Sequence, residues 1–220
     1  MILVIQNVLT PDNVTQIRAK LDTMKFVDGT ATAGWHAKLV KKNLQADRAQ
    51  PDYMPLNKAV AEALMRQPTF RMAARPRQIT PLLFSRYRDE MEYGTHVDDP
   101  VMYNLRSDVS FTLFLSEPQE YDGGELVMET SAGEQAFKPA AGQMIIYPST
   151  TLHRVNPVTK GERVAAVGWC QSQVRDPGKR EILYDLDMAR RALFDKNGKT
   201  REFDIISKAH ANLMRMWADI

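Results

Sequence analysis

The sequence predicts a mainly β architecture: a jelly roll of two facing sheets, preceded by helices and followed by a helical extension. From about residue 78 to residue 172, short apolar or alternating runs recur at close spacing. Asp122-Gly123-Gly124, Gly133, Pro139, Gly142, Pro148, Pro157 and Gly161 punctuate them. About eight strands so close together leave no room for crossover helices, which points to a sandwich or barrel rather than a parallel sheet. On either side of this region the apolar spacing changes to that of helices.

The elements follow in order. Residues 2–5 read as a short buried strand. Thr10-Pro11-Asp12 is a helix start, with a capping hydroxyl, proline in the first turn and an acid at the positive end of the dipole. Val14, Ile17, Leu21 and Met24 continue it at helical spacing. Asp28-Gly29 marks a turn. Residues 30–45 mix Trp35, His36, Lys38, Lys41, Lys42 and Asn43 without a clean period. They read as an edge strand or surface loop with Trp35 half-buried; the sharper alternative is a loop bordering an active site, with Trp35, Lys41, Asn43 and Tyr103 at its mouth. Leu56 to Arg66 reads as a second helix, closed by Gln67-Pro68. Arg71, Arg75 and Arg77 read as a solvated charged face.

Ile79 to Tyr87 opens the strand-rich region. In Asp108 to Ser116, Val109, Phe111, Leu113 and Leu115 alternate with Ser110 and Thr112, the pattern of a strand with two unlike faces. After Asp176-Pro177-Gly178 the pattern is helical again. Ile182, Leu183, Leu186, Ala189, Arg190 and Leu193 mark one amphipathic helix; Ile206, Ala209, Leu213 and Met216 mark another, with His210 on its polar face. This divides the chain into residues 1–175, with a jelly-roll core at about 78–172, and a helical extension at 176–220. The extension is expected to pack on the barrel or on a second copy of the chain.

Composition narrows the setting. The 220 residues are 44% hydrophobic and 25% charged, with 29 basic against 27 acidic side chains. That balance gives no reason to expect a nucleic-acid partner. A single cysteine, Cys170, forbids an intrachain disulfide and fits a reducing, cytoplasmic setting. The first residues do not read as a signal peptide, and no stretch approaches the apolar length of a membrane span.

The chemistry concentrates in Tyr93-Gly94-Thr95-His96-Val97-Asp98-Asp99-Pro100. If this stretch is extended, His96 and Asp98 point the same way. A second histidine, His153, follows downstream, and Arg163 lies ten residues further on. Two imidazoles and a carboxylate occupy one face of an iron site and leave the other face open. Zinc takes the same donors, so the metal stays open at this point. If 153 and 163 lie on adjacent antiparallel strands, both face one interior, where the guanidinium suits a carboxylate. A non-catalytic cupin-like protein that binds metal or a small ligand is the competing reading. Cys170 reads as a buried strand residue with no histidine at a nucleophile's spacing.

At these residues the sequence resembles the iron- and 2-oxoglutarate-dependent dioxygenases of the prolyl/lysyl hydroxylase type, and within them the bacterial PKHD-type hydroxylases. Phe84-Ser85-Arg86-Tyr87-Arg88, the His96 stretch, Tyr121 to Leu126, Gly142 to Ser149, Leu152 to Val155 and Arg163 to Trp169 carry the likeness. Thr32 to Trp35, Lys41 to Gln45 and Leu183 to Asp187 extend it over nearly the whole chain. The resemblance implies a double-stranded β-helix, with His96, Asp98 and His153 as ligands of Fe(II) and Arg163 on the distal carboxylate of 2-oxoglutarate. It places Tyr87 near that co-substrate. It implies O2-dependent decarboxylation of 2-oxoglutarate to succinate, coupled to hydroxylation of an amino-acid side chain, a peptide or a small molecule. Ascorbate would support the reaction by keeping the iron ferrous.

Overall fold

A computed structural model describes residues 1–219. The chain begins with β1 (Leu3–Ile5), α1 (Pro11–Thr23) and β2 (Phe26–Asp28). Two short 3-10 turns, Gly29–Thr32 and Ala37–Val40, lead to β3 (Lys41–Lys42) and β4 (Leu44–Ala46). Helices α2 (Tyr53–Arg66) and α3 (Pro68–Ala74) follow. The strand-rich region contains β5 (Pro76–Ile79), β6 (Leu83–Tyr87), β7 (Met91–His96), β8 (Val101–Met102), β9 (Leu105–Arg106) and β10 (Val109–Phe114). It continues through β11 (Tyr121–Gly123), β12 (Leu126–Thr130), β13 (Gly133–Phe137), β14 (Met144–Pro148), β15 (His153–Gly161) and β16 (Arg163–Ser172). Helices α4 (Pro177–Asn197) and α5 (Arg201–Trp217) close the chain.

Two antiparallel sheets face each other. The larger runs β1-β14-β10-β16-β6-β4-β2, with β5 also on β16; the smaller runs β13-β12-β15-β7-β3, with β11 on β15. From β6 onward the chain passes back and forth between them, β6, β10, β14 and β16 in the larger sheet and β7, β11 to β13 and β15 in the smaller, as in a jelly roll. Strand β10 shows what this arrangement asks of a sequence. Val109, Phe111 and Leu113 join the core that packs the larger sheet on the helices, while Phe114 belongs to a second core between the sheets. All six residues of β10 are buried, so the polar side of its alternation faces the interior rather than water. Each large apolar side chain buried this way contributes about 1.5–3 kcal/mol.

Helix α1 starts as its sequence demands. Thr10 accepts a hydrogen bond from the Asn13 amide, and the Asn13 side chain accepts one from the Thr10 amide; Ile17 and Leu21 are the buried face. Helix α2 begins at Tyr53, three residues before the expected start, because the Tyr53 hydroxyl and Asn57 amide both bond the Leu82 carbonyl and hold the first turn down. Gln67-Pro68 ends α2 as expected but at once starts α3, where Gln67 caps the Phe70 amide and proline takes the first turn. The run from Ile79 to Tyr87 is two strands, broken where the Thr80 amide bonds the Trp169 carbonyl.

The helical extension departs from expectation in its buried face. Of the apolar row expected on α4 only Leu183 is fully buried, and Arg180 and Asp187 are buried with it. Asp187 holds Arg75 at 2.5 Å and Arg190 on its other oxygen, and Arg75 also meets His210 at 2.9 Å. So Arg75 is not part of a solvated face, and His210, 6% exposed, is not on a polar one. A buried carboxylate on α4 dictates both placements: a charge removed from water needs partners. On α5, Met216 of the expected apolar row is 74% exposed. The last residue of the expected extension, Ile220, lies outside the described residues. Among the described residues no helix is long and apolar enough to cross a membrane.

Candidate metal centre and its cavity

The open end of the sandwich holds the three side chains singled out by spacing. Strand β7 ends at His96, and His153 opens β15 as its direct cross-strand neighbour. Asp98 lies just beyond the end of β7 rather than within it, yet it still turns to the same point. One ligand atom from each of His96, Asp98 and His153 falls within 4.8 Å of the others. His153 Nε2 stands 3.9 Å from Asp98 Oδ2, and the two rings are 4.3 Å apart at their centroids.

The backbone sets the tautomers. His96 Nδ1 lies 2.8 Å from the Gly94 carbonyl and His153 Nδ1 lies 2.9 Å from the Thr151 carbonyl. A carbonyl only accepts, so each Nδ1 carries the proton and each Nε2 is left with its lone pair toward the common point. Burial and the neighbouring His153 push the His96 pKa down, which keeps the ring neutral and ready to ligate. Asp98 is oriented in turn. Ser110 Oγ donates to its Oδ2 at 2.5 Å and is itself 2.8 Å from Ser149 Oγ. Tyr93 stacks on His96 at 3.6 Å, and Tyr147 meets His153 edge-on at 5.0 Å. These contacts lock each donor from behind, as metal sites require.

Behind the three donors the cavity extends between the sheets, with about 740 Å³ of empty space including its open mouth. His153 and Arg163 do not sit on adjacent paired strands, the condition under which the sequence would turn both to one interior. They lie on opposite sheets, because Gly161 turns the chain from one to the other. Its φ is +73°, and a Cβ there would fall 2.0 Å from the Glu120 carbonyl oxygen, so only glycine makes this crossing without strain. Arg163 then begins β16 opposite Tyr87 at the end of β6. Its guanidinium lies 5.3 Å from the Tyr87 ring and 5.2 Å from that of Phe114. It is 1% exposed, and its Nε has no hydrogen-bond partner. Burial raises the Tyr87 pKa, so its phenol stays a neutral donor beside that cation.

The chain from Thr32 to Gln45 is the part of the site that periodicity misses. Lys41, Asn43 and Gln45 are buried and line the cavity. Trp35, expected half-buried, is 80% exposed. Tyr103 is also outside the lining, tied to Arg48 at the surface. Lys41 pairs with Tyr93 across β3 and β7, and its Nζ donates to Thr32 Oγ1 at 2.9 Å. Gly34 packs so closely on Asp99 that a Cβ would meet its carboxylate at 2.9 Å, which draws this segment over the site. Neither Arg163 nor Lys41 has a carboxylate within 4.0 Å among the described residues.

Comparison with known proteins follows the same lines. Residues 82–171 match the model of the 2OG-Fe(II) oxygenase superfamily, and residues 178–219 match that of the PKHD-type hydroxylase C-terminal domain. A PKHD-type hydroxylase of Acaryochloris marina is 55% identical over 219 residues, covering 100% of both chains. Among solved structures, a Pseudomonas putida prolyl-4-hydroxylase aligns with TM-score 0.54 at 21% identity over 78% of this chain and 92% of that one. HygX from Streptomyces hygroscopicus, solved with nickel and 2-oxoglutarate bound, aligns with TM-score 0.57 at 13% identity over 79% and 84%. The structural likenesses establish the double-stranded β-helix fold, here carrying five α-helices among the described residues.

Proposed function

The chain belongs to the PKHD-type hydroxylases of the 2OG-Fe(II) oxygenase superfamily, and from that premise we propose that His96, Asp98 and His153 hold its iron and that Arg163 grips the far carboxylate of 2-oxoglutarate. The protein is an iron- and 2-oxoglutarate-dependent hydroxylase that uses O2; its family membership sets aside both the zinc and the non-catalytic readings. Bound at this centre, ferrous iron supplies the oxidation of 2-oxoglutarate to succinate and CO2 coupled to hydroxylation of a C–H bond.

One observation carries the assignment of residues: a guanidinium 1% exposed, with no acid partner among the described residues, shares a cavity with three converging ligand atoms. A buried charge is costly until something pairs with it, and a carboxylate fits an arginine fork with two parallel hydrogen bonds. Tyr87, opposite Arg163, offers a neutral hydroxyl to the same carboxylate. The two Nε2 lone pairs and the Ser110-braced carboxylate present donors that do not have to rearrange. The apolar core between the sheets keeps bulk water from the deep end.

The remaining assignments belong to the same proposal. The catalytic unit is residues 1–175 and the helical extension 176–220. The unpaired thiol of Cys170 supports a cytoplasmic setting. Met188, Phe194, Ile205 and Met216 are exposed apolar groups on the extension, which supports a homodimer through it. Ascorbate serves as the reductant that keeps the iron ferrous. Anaerobic addition of Fe(II) and 2-oxoglutarate tests the centre: the weak visible absorption of the chelate is expected in the native protein and absent in His96→Ala and Asp98→Ala. A chelate band of native strength in both variants would refute the ligand assignment.

A further inference from the structure

The cavity contains a second cation that the co-substrate does not account for. Lys41 is 8% exposed and stands on β3, in the smaller sheet, whereas Arg163 stands on β16 in the larger one. One of its three N–H donors goes to Thr32 Oγ1 at 2.9 Å. Thr32 is held in place by the Gly29 carbonyl at 3.0 Å and Gln45 Oε1 at 2.9 Å. Two residues on, Asn43 is 4% exposed, and both atoms of its amide lack a hydrogen-bond partner. Both side chains line the cavity that contains the metal ligands. A compact, buried ammonium with spare donors on the wall of this cavity is a place for an oxyanion.

Resting on the reading that Arg163 serves 2-oxoglutarate, we propose that Lys41, held in position by Thr32, forms a second anion subsite that binds a carboxylate of the primary substrate. The hydroxylated substrate is thus a carboxylate-bearing molecule, held by that group while a C–H bond is presented to the centre. Lys41 is a specificity residue in this scheme. Its pKa is pushed down to about 8, chiefly by burial, which still leaves the ammonium charged at neutral pH. Asp98 and Asp28 pull that value up, Arg48 pushes it down, and Asp99 is the other acid on the cavity wall. None of these acids comes within 4.0 Å of Lys41; its Nζ meets only the Thr32 hydroxyl and, at 5.0 Å, the Tyr93 ring among the described residues, which leaves a donor for a ligand oxygen.

The test is calorimetric and anaerobic, on enzyme loaded with Fe(II) and saturating 2-oxoglutarate, so that Arg163 is occupied. Propionate and its neutral analogue propionamide are the probes. The native protein is expected to prefer propionate at least tenfold, and Lys41→Met to reduce that preference to within twofold. Lys41→Gln keeps a donor for Thr32 without the charge, and is expected to lose the preference equally should Lys41→Met fold poorly. Equal affinity for the two probes in the native protein, or an undiminished preference in both variants, overturns the proposal. So does a tenfold loss of 2-oxoglutarate affinity in Lys41→Met without propionate, which would assign Lys41 to the co-substrate. An Arg163→Met protein that binds 2-oxoglutarate like the native one would sink the role of Arg163 instead. The propionate preference measured on metal-free protein then still judges Lys41 independently.

Discussion

Arg163→Met separates a guanidinium kept for a ligand from one kept for the fold, because the two roles predict opposite signs. The substitution preserves length and removes the charge. If Arg163 held the barrel together, its loss would cost about 3–5 kcal/mol, as breaking a buried ion pair usually does. But among the described residues no acid lies within 4.0 Å of Arg163, and its Nε has no hydrogen bond. What it has are the Tyr121 hydroxyl nearby and the rings of Tyr87 and Phe114 at 5.3 and 5.2 Å, a cation–ring contact being worth about 0.5–2 kcal/mol. Against that stands the desolvation of a charge 1% exposed, several kcal/mol even after relaxation. The apoprotein is therefore expected to be as stable as the native one, or more stable by about 1–4 kcal/mol. The ligand-bound state responds the other way. Losing a buried charge-assisted pair costs about 2–5 kcal/mol, a drop in 2-oxoglutarate affinity of roughly 30- to 4,000-fold. Urea denaturation of the apoprotein and anaerobic titration of 2-oxoglutarate read the two quantities separately. A variant destabilised by about 3 kcal/mol with unchanged 2-oxoglutarate affinity would refute the reasoning.

Other perturbations follow from the same geometry. Ser110→Ala removes the 2.5 Å brace on Asp98 and should weaken Fe(II) or Mn(II) binding about 10- to 100-fold, read by competition with a chelator, while leaving the fold intact. Asp187→Ala strands Arg75 and Arg190 where α4 meets α3 and should cost about 3 kcal/mol, with the helical extension becoming sensitive to limited proteolysis; native-like resistance would contradict the network's role. Lys41 gives a pH signature. Its folded pKa of about 8 lies below the ordinary 10.5, so between those values the unfolded chain holds more protons. Stability of the native protein relative to Lys41→Met should then rise by up to about 3 kcal/mol as pH increases from 8 to 10.5, and should be level below 8. Parallel urea curves for the two proteins across that range would show that the ammonium is not buried.

What can be read from the sequence, and what cannot, divides along one physical line. Local signals are legible wherever a residue's partners lie within a few positions. The Thr10 cap, the helical row from Val14 to Leu21 and the turn glycines carry their reasons in their neighbours. The three donors are legible because the chemistry of the site limits its residue types, although Asp98 reaches the centre from beyond the strand rather than along it. Alternation in β10 is equally visible, but its meaning is not. Ser110 and Thr112 read only as the polar one of two unlike faces, and only the second sheet turns that face into the cavity wall that braces Asp98. The same blindness affects every charge whose partner is remote. Arg75 and His210 read as surface groups until Asp187, more than a hundred residues from the first, is seen between them. Residues 30–45 are the extreme case, since each short piece there answers to a different sheet. Lys41 pairs with Tyr93, Leu44 and Gln45 pair with Arg86 and Ser85, and no period survives that crossing. A stretch of polar and basic residues with no period reads as loop. Where the chain passes between two sheets, the same irregularity is what a binding wall looks like, because its side chains are chosen for the cavity and not for a helix face or a strand's alternation.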